Sequence, residues 1–127
     1  MIIIDMKYVI NTDKPKDCKA EILSCIKNQK DKSESEIKTW ELRNDSDDKD
    51  NKDNKLLVHT TDAWSDVGCL SLDVDEDNKC IDVKFYYWES FPQDKRTKKE
   101  KFYLYGRFTE LLLAHFGFSY SSVKIVP

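Results

Sequence analysis

Glycine is scarce in this 127-residue chain: there are three, Gly68, Gly106 and Gly117, too far apart to form the glycine-rich loop that cradles a nucleotide phosphate. Histidine is scarcer, with only His59 and His115. The four cysteines, Cys18, Cys25, Cys69 and Cys80, include no C-x-x-C pair, and Cys18 and Cys25 stand two helical turns apart, wider than zinc ligand pairs normally use. We therefore expect free structural thiols, no metal and no cofactor. The longest early apolar run, Ile2 to Ile4, is broken at Asp5, so the chain is expected to carry no signal peptide and to be cytoplasmic. Nothing else approaches a membrane-spanning length.

What the chain does have is charge and aromatic surface. Charged residues make up 35% and hydrophobic residues 39%, with 3 Trp, 6 Tyr and 6 Phe, a balance that suits a single globular domain over residues 1–127. The net charge of -3 is unevenly spread: residues 44–82 hold 12 acidic against 4 basic side chains, while residues 83–127 hold 8 basic against 4 acidic. Such asymmetry bears on which partners the surface attracts, not on the fold.

Residues Ile2 to Ile10 are β-branched and aromatic and read as a strand. Pro15 at a first helical position, Asp17 in the first turn and the spacing of Cys18, Ile22, Cys25 and Ile26 predict an amphipathic helix to about Gln29. Glu36 to Arg43 has strand composition around Ile37, Trp40 and Leu42. Asn44 to Lys55 contains only Asn, Asp, Ser and Lys and is expected to be a mobile charged loop. A third strand follows at Leu56 to Thr60, then an irregular connection carrying Asp62, Trp64 and Asp66.

The clearest element is a hairpin. Leu70, Leu72 and Val74 alternate with polar residues, as do Ile81, Val83, Phe85 and Tyr87. A two-residue type I′ turn at Asp77 and Asn78 sets Val74 opposite Ile81, Leu72 opposite Val83 and Leu70 opposite Phe85. The same register puts Asp73 across from Asp82 on the outer face, with Asp75, Glu76 and Asp77 at the tip and Tyr86 and Trp88 further along that face. Like charges across a ladder are destabilising.

Thr97-x-x-Glu100 matches a capping box and predicts a helix start. Leu104, Phe108, Leu111 and His115, widened by Leu112 and Phe116, form its apolar face, Gly117 ends it, and Phe118 to Val126 is a last strand. The expected order is β-α-β-β-β-β-α-β: an α+β fold with a mainly antiparallel sheet of five to six strands and two helices on one face.

Three chemistries can be weighed. His59 with Asp62 could make the base and orienter of a small hydrolase, but no nucleophile is placed beside them. Asp73-x-Asp75-x-Asp77 resembles the start of a calcium loop, but Asn78 stands where the loop needs Gly and Lys84 where it needs Glu. The basic run Lys95 to Lys101, flanked by Trp88, Phe91, Phe102 and Tyr103, could serve a small nucleic-acid-binding adaptor, although such domains are normally basic overall.

Lys- and Asp-rich, without a catalytic set and with an acidic, aromatic hairpin face, the chain resembles over its whole length the immunity proteins of bacterial contact-dependent growth inhibition and related toxin systems. That resemblance implies no enzyme activity. It implies an antitoxin-like inhibitor that neutralises a cognate toxin, often a nuclease, by occluding its basic surface. The acidic middle third suits such a protein-protein interaction, because charge complementarity gives speed and specificity. The candidate partner-binding residues are Asp73, Asp75, Glu76, Asp77, Asp82, Tyr86 and Trp88, with Asp62, Trp64 and Asp66 beside them.

Overall fold

The computed structural model describes residues 7–27, 40–44, 55–60, 64–97, 99–114 and 120–126. Their elements are β1 (Lys7–Asn11), α1 (Pro15–Lys27), β2 (Trp40–Asn44), β3 (Lys55–His59), β4 (Gly68–Asp75), β5 (Cys80–Tyr87), α2 (Lys99–Ala114) and β6 (Ser122–Val126). The strands form one six-stranded sheet in the order β2-β3-β4-β5-β1-β6, every neighbouring pair antiparallel. This is the expected α+β architecture in the expected element order. Residues 45–54 of the anticipated loop, with Asp62, His115, Phe116 and Gly117, lie outside the described residues, as do 2–6, 36–39 and 118–119 of the anticipated strands. No described helix is long and apolar enough to cross a membrane.

Period-two alternation gives the sheet one apolar face, and both helices pack on it. Tyr8 and Ile10 of β1, Leu57 of β3, Leu70 and Leu72 of β4, and Ile81 and Val83 of β5 meet Cys18, Ile22 and Ile26 of α1 and Leu104, Phe108, Leu111 and Leu112 of α2. Completely burying one aliphatic or aromatic side chain of this kind contributes about 1.5–3 kcal/mol, so this layer dominates the stability. Tyrosine phenols fasten α2 to the sheet: Tyr8 Oη lies 2.7 Å from Thr109 Oγ1, and Tyr105 Oη donates to the Val83 carbonyl at 3.0 Å. Each buried ring thereby keeps a partner for its polar end.

Local chemistry sets the element ends. Thr12 Oγ1 accepts from the Lys14 backbone N–H at 3.1 Å and leads the chain into Pro15. At the start of α2, the Glu100 carboxylate reaches back to the Thr97 backbone N–H at 3.0 Å, half of the expected capping box. The Thr97 hydroxyl also donates to that carboxylate, and Tyr87 Oη adds a third bond at 3.2 Å. Burial opposes the charge on Glu100, but these bonds outweigh it and hold the carboxyl below its ordinary range.

The β4–β5 register is as expected, with Leu70 opposite Phe85, Leu72 opposite Val83, Asp73 opposite Asp82 and Val74 opposite Ile81. The turn is not. Instead of a two-residue type I′ turn with positive φ at Asp77 and Asn78, the reversal spans residues 76–79, and Lys79 alone is left-handed, with φ of 51°. The reason is the Asp75 carboxylate, which accepts from the Asn78 backbone N–H at 3.1 Å and from its side-chain amide at 2.8 Å. That clamp holds the turn right-handed through Asn78 and moves the left-handed step to Lys79.

Candidate functional site

Neither described helix packs on the opposite face of the sheet. There the ladder places Asp73 beside Asp82, Asp82 beside Val9 and Val9 beside Lys124, and, one rung nearer the turn, Asp75 beside Cys80 and Cys80 beside Asn11. Asp73, Asp75 and Asp82 are thus brought together as expected, with Glu76 and Asp77 in the adjoining turn. Tyr86 shares the face, 49% exposed, two strand pleats away from Asp82.

Alternating parity places lysines on this face too. Lys84 Nζ sits 3.0 Å from Asp73 Oδ2, and that hydrogen bond raises the lysine pKa. In the turn, Glu76 pairs with Lys16 of α1 at 3.5 Å. No ion pair among the described residues involves Asp77 or Asp82. The Asp75 carboxyl is held below its ordinary range by the Asn78 side chain and then by the Asn78 backbone N–H. The face is therefore an acidic rung with an internal counter-ion, less uniformly negative than the sequence suggested.

Cys80 sits against these acids. The ligand atoms of Asp75, Cys80 and Asp82 lie within 4.8 Å of one another, the one grouping among the described residues that could hold a metal ion. Burial raises the Cys80 thiol pKa, with Asp82 and Asp75 adding to the effect, so the thiol is not activated as a ligand or nucleophile. None of the four cysteines forms a disulfide.

The remaining candidates go elsewhere. Trp88 shares the face of the acids but is half-buried against a small buried cluster of Leu56, Val58 and Cys69, and its indole N–H donates to the Ser65 carbonyl at 2.9 Å. Trp64 turns toward the helix side, where its ring stacks on Tyr103 of α2 at 4.0 Å between centroids and 9° between planes. Asp66 is exposed at the end of a short 3-10 helix, Trp64–Asp66, and Asp62 is outside the described residues.

His59 is only 3% exposed, wedged edge-on between Trp40 and Tyr103 with no hydrogen-bond partner at Nδ1. Burial, aided by the nearby Arg107 guanidinium, pushes its pKa down to about 4. Of the basic run, Arg96 is committed to the β5–α2 connection: it donates to the carbonyls of Trp88 and Phe91 and lies 4.8 Å from the Tyr87 ring centre.

Sequence patterns give no sign of a cavity of about 350 Å³ between β1, β5 and α2, lined by Lys7, Asp82, Lys84, Tyr86, Lys101 and Tyr105 among others. Hairpin parity alone places Lys84 and Tyr86 on one face. Lys7 and Lys101 join them through the long-range β1–β5 pairing and the seating of α2, which no local pattern encodes. No family model, curated protein or solved structure matches the chain.

Proposed function

We propose that this chain is a binding protein that captures a basic macromolecular partner, in the manner of an immunity protein neutralising a bacterial toxin domain, through the acidic rung on the sheet face opposite the two described helices. The observation that carries the reading is the direct opposition of Asp73 and Asp82, with Asp75 on the next rung, on a face that neither described helix covers. Like charges so placed reduce stability, and a cationic partner turns that cost into attraction. Tyr86 is the aromatic anchor at the margin, because about half of the residue's surface is exposed. Both strands are regular, so binding here demands little ordering of the backbone.

The test is cross-linking in the native cell, with partners identified by mass spectrometry, for the parent and for a variant combining Asp73→Lys, Asp75→Lys and Asp82→Lys. A strongly basic protein cross-linked to the parent and lost from the variant supports the reading. A partner retained equally by the charge-reversed chain overturns it.

A further inference from the structure

We propose that Asp75, Cys80 and Asp82 form a zinc site on the β4–β5 hairpin. Their ligand atoms, two carboxylate oxygens and one sulfur, lie within 4.8 Å of one another. The ladder explains the grouping: Asp75 stands directly opposite Cys80 at the last rung before the turn, and Asp82 follows two residues along β5 on the same face. Donors around a tetrahedral zinc stand roughly 3.5 Å apart, as its bonds of about 2.0–2.3 Å require. Asp82, in no ion pair among the described residues, can rotate about its broad χ2 to close the remaining distance.

The thiol is what points to a ligand. Cys80 is only 7% exposed, its sulfur has no hydrogen-bond partner, and it is aimed between the two carboxylates. Asp75 is already held in place: Asn78 donates its backbone N–H to one carboxylate oxygen at 3.1 Å and its side-chain amide to the other at 2.8 Å, leaving each oxygen a lone pair. Outer contacts of this kind fix carboxylate ligands in metal sites. The donor set selects the ion. Calcium and magnesium call for six or more oxygens, whereas zinc accepts sulfur together with oxygen and completes its tetrahedron with water. The nearby cations oppose it little, because Lys84 is paired with Asp73 and Lys7 acts on Cys80 less than Asp82 or Asp75 does. In the metal-free chain the thiol keeps its proton, and that proton leaves to solvent as the S–Zn bond forms. The site needs no macromolecular partner, although it shares Asp75 and Asp82 with the acidic rung.

The experiment titrates the full, reduced, isotope-labelled chain with cadmium, whose bond to a thiolate gives an ultraviolet charge-transfer band, and then adds zinc as competitor. A saturable band is expected, with amide shifts centred on residues 75–82 and about one proton released per ion in weakly buffered solution. Excess zinc should abolish the band. Cys80→Ser should remove it, and Asp82→Asn should weaken binding at least ten-fold with the remaining spectrum preserved. A band that survives in Cys80→Ser belongs to another thiol and overturns the site, as do equal affinity in Asp82→Asn and the absence of a saturable band at submillimolar cadmium. Cadmium retained against excess zinc removes the zinc assignment. If Cys80→Ser does not fold, Asp82→Asn and the position of the amide shifts decide the matter, and shifts centred elsewhere overturn the site.

Discussion

Asp73 faces Asp82 directly across the β4–β5 ladder, and among the described residues the only cation paired with either is Lys84, 3.0 Å from Asp73. Opposed like charges cost a few tenths of a kcal/mol, and an exposed ion pair restores a similar amount. Asp82→Asn is therefore expected to stabilise the fold slightly, by less than about 1 kcal/mol, while Lys84→Met destabilises it. Urea midpoints of the two single variants and the double variant measure the coupling. A loss of stability in Asp82→Asn would show that the carboxylate has a structural role.

Lys79 is the only non-glycine residue with positive φ among the described residues, at 51°. Left-handed backbone costs an L-residue roughly 1–2 kcal/mol, and glycine avoids this at some cost in unfolded-state entropy. Lys79→Gly should raise stability by up to about 1 kcal/mol, read from the denaturant midpoint at constant slope. Lys79→Val should lower it.

Two glycines should respond in opposite directions to the same change. A methyl group at Gly68 would sit 2.3 Å from the Tyr86 carbonyl oxygen and 3.0 Å from the Phe85 ring, whereas at Gly106, inside α2, it would meet nothing within 4 Å. Gly68→Ala is expected to destabilise by about 1–3 kcal/mol through forced backbone movement. Gly106→Ala should stabilise by about 1 kcal/mol through helix propensity. Thermal unfolding of both variants decides the matter, and a shared sign would contradict the packing described.

His59 makes stability depend on pH. Its pKa is about 4 in the fold against about 6.5 when unfolded, so between these values the unfolded chain binds the extra proton. The neutral ring's contribution is complete above pH 6.5 and is lost as pH falls toward 4, by up to roughly 3 kcal/mol. Stability of the parent and of His59→Phe, followed from pH 7 to 4, should show the parent falling more steeply across that window. Parallel profiles would mean that His59 accepts its proton without disturbing the aromatic wedge.

Local periodicity and residue chemistry determined much of this protein. Alternation placed Leu70, Leu72 and Val74 against Phe85, Val83 and Ile81, because a one-residue slip would turn that whole set to the wrong face. The i, i+4, i+8 spacing of Cys18, Ile22 and Ile26 determined the buried side of α1. The Asp73–Asp82 opposition follows from the same arithmetic and is legible in the sequence alone.

Tertiary structure decided the rest. The turn type escaped because the Asp75 side chain competes with the backbone for Asn78, an interaction that residue preferences alone do not rank. Trp64 and Trp88, 24 positions apart, diverge to opposite sides of the sheet because one finds Tyr103 and the other finds Leu56, Val58 and Cys69. Lys7 reaches the cavity only because β1 inserts between β5 and β6, a pairing more than 70 residues away along the chain. Patterns of two and 3.6 residues say which face a side chain takes. Which elements those faces meet depends on how the whole apolar surface is buried at once.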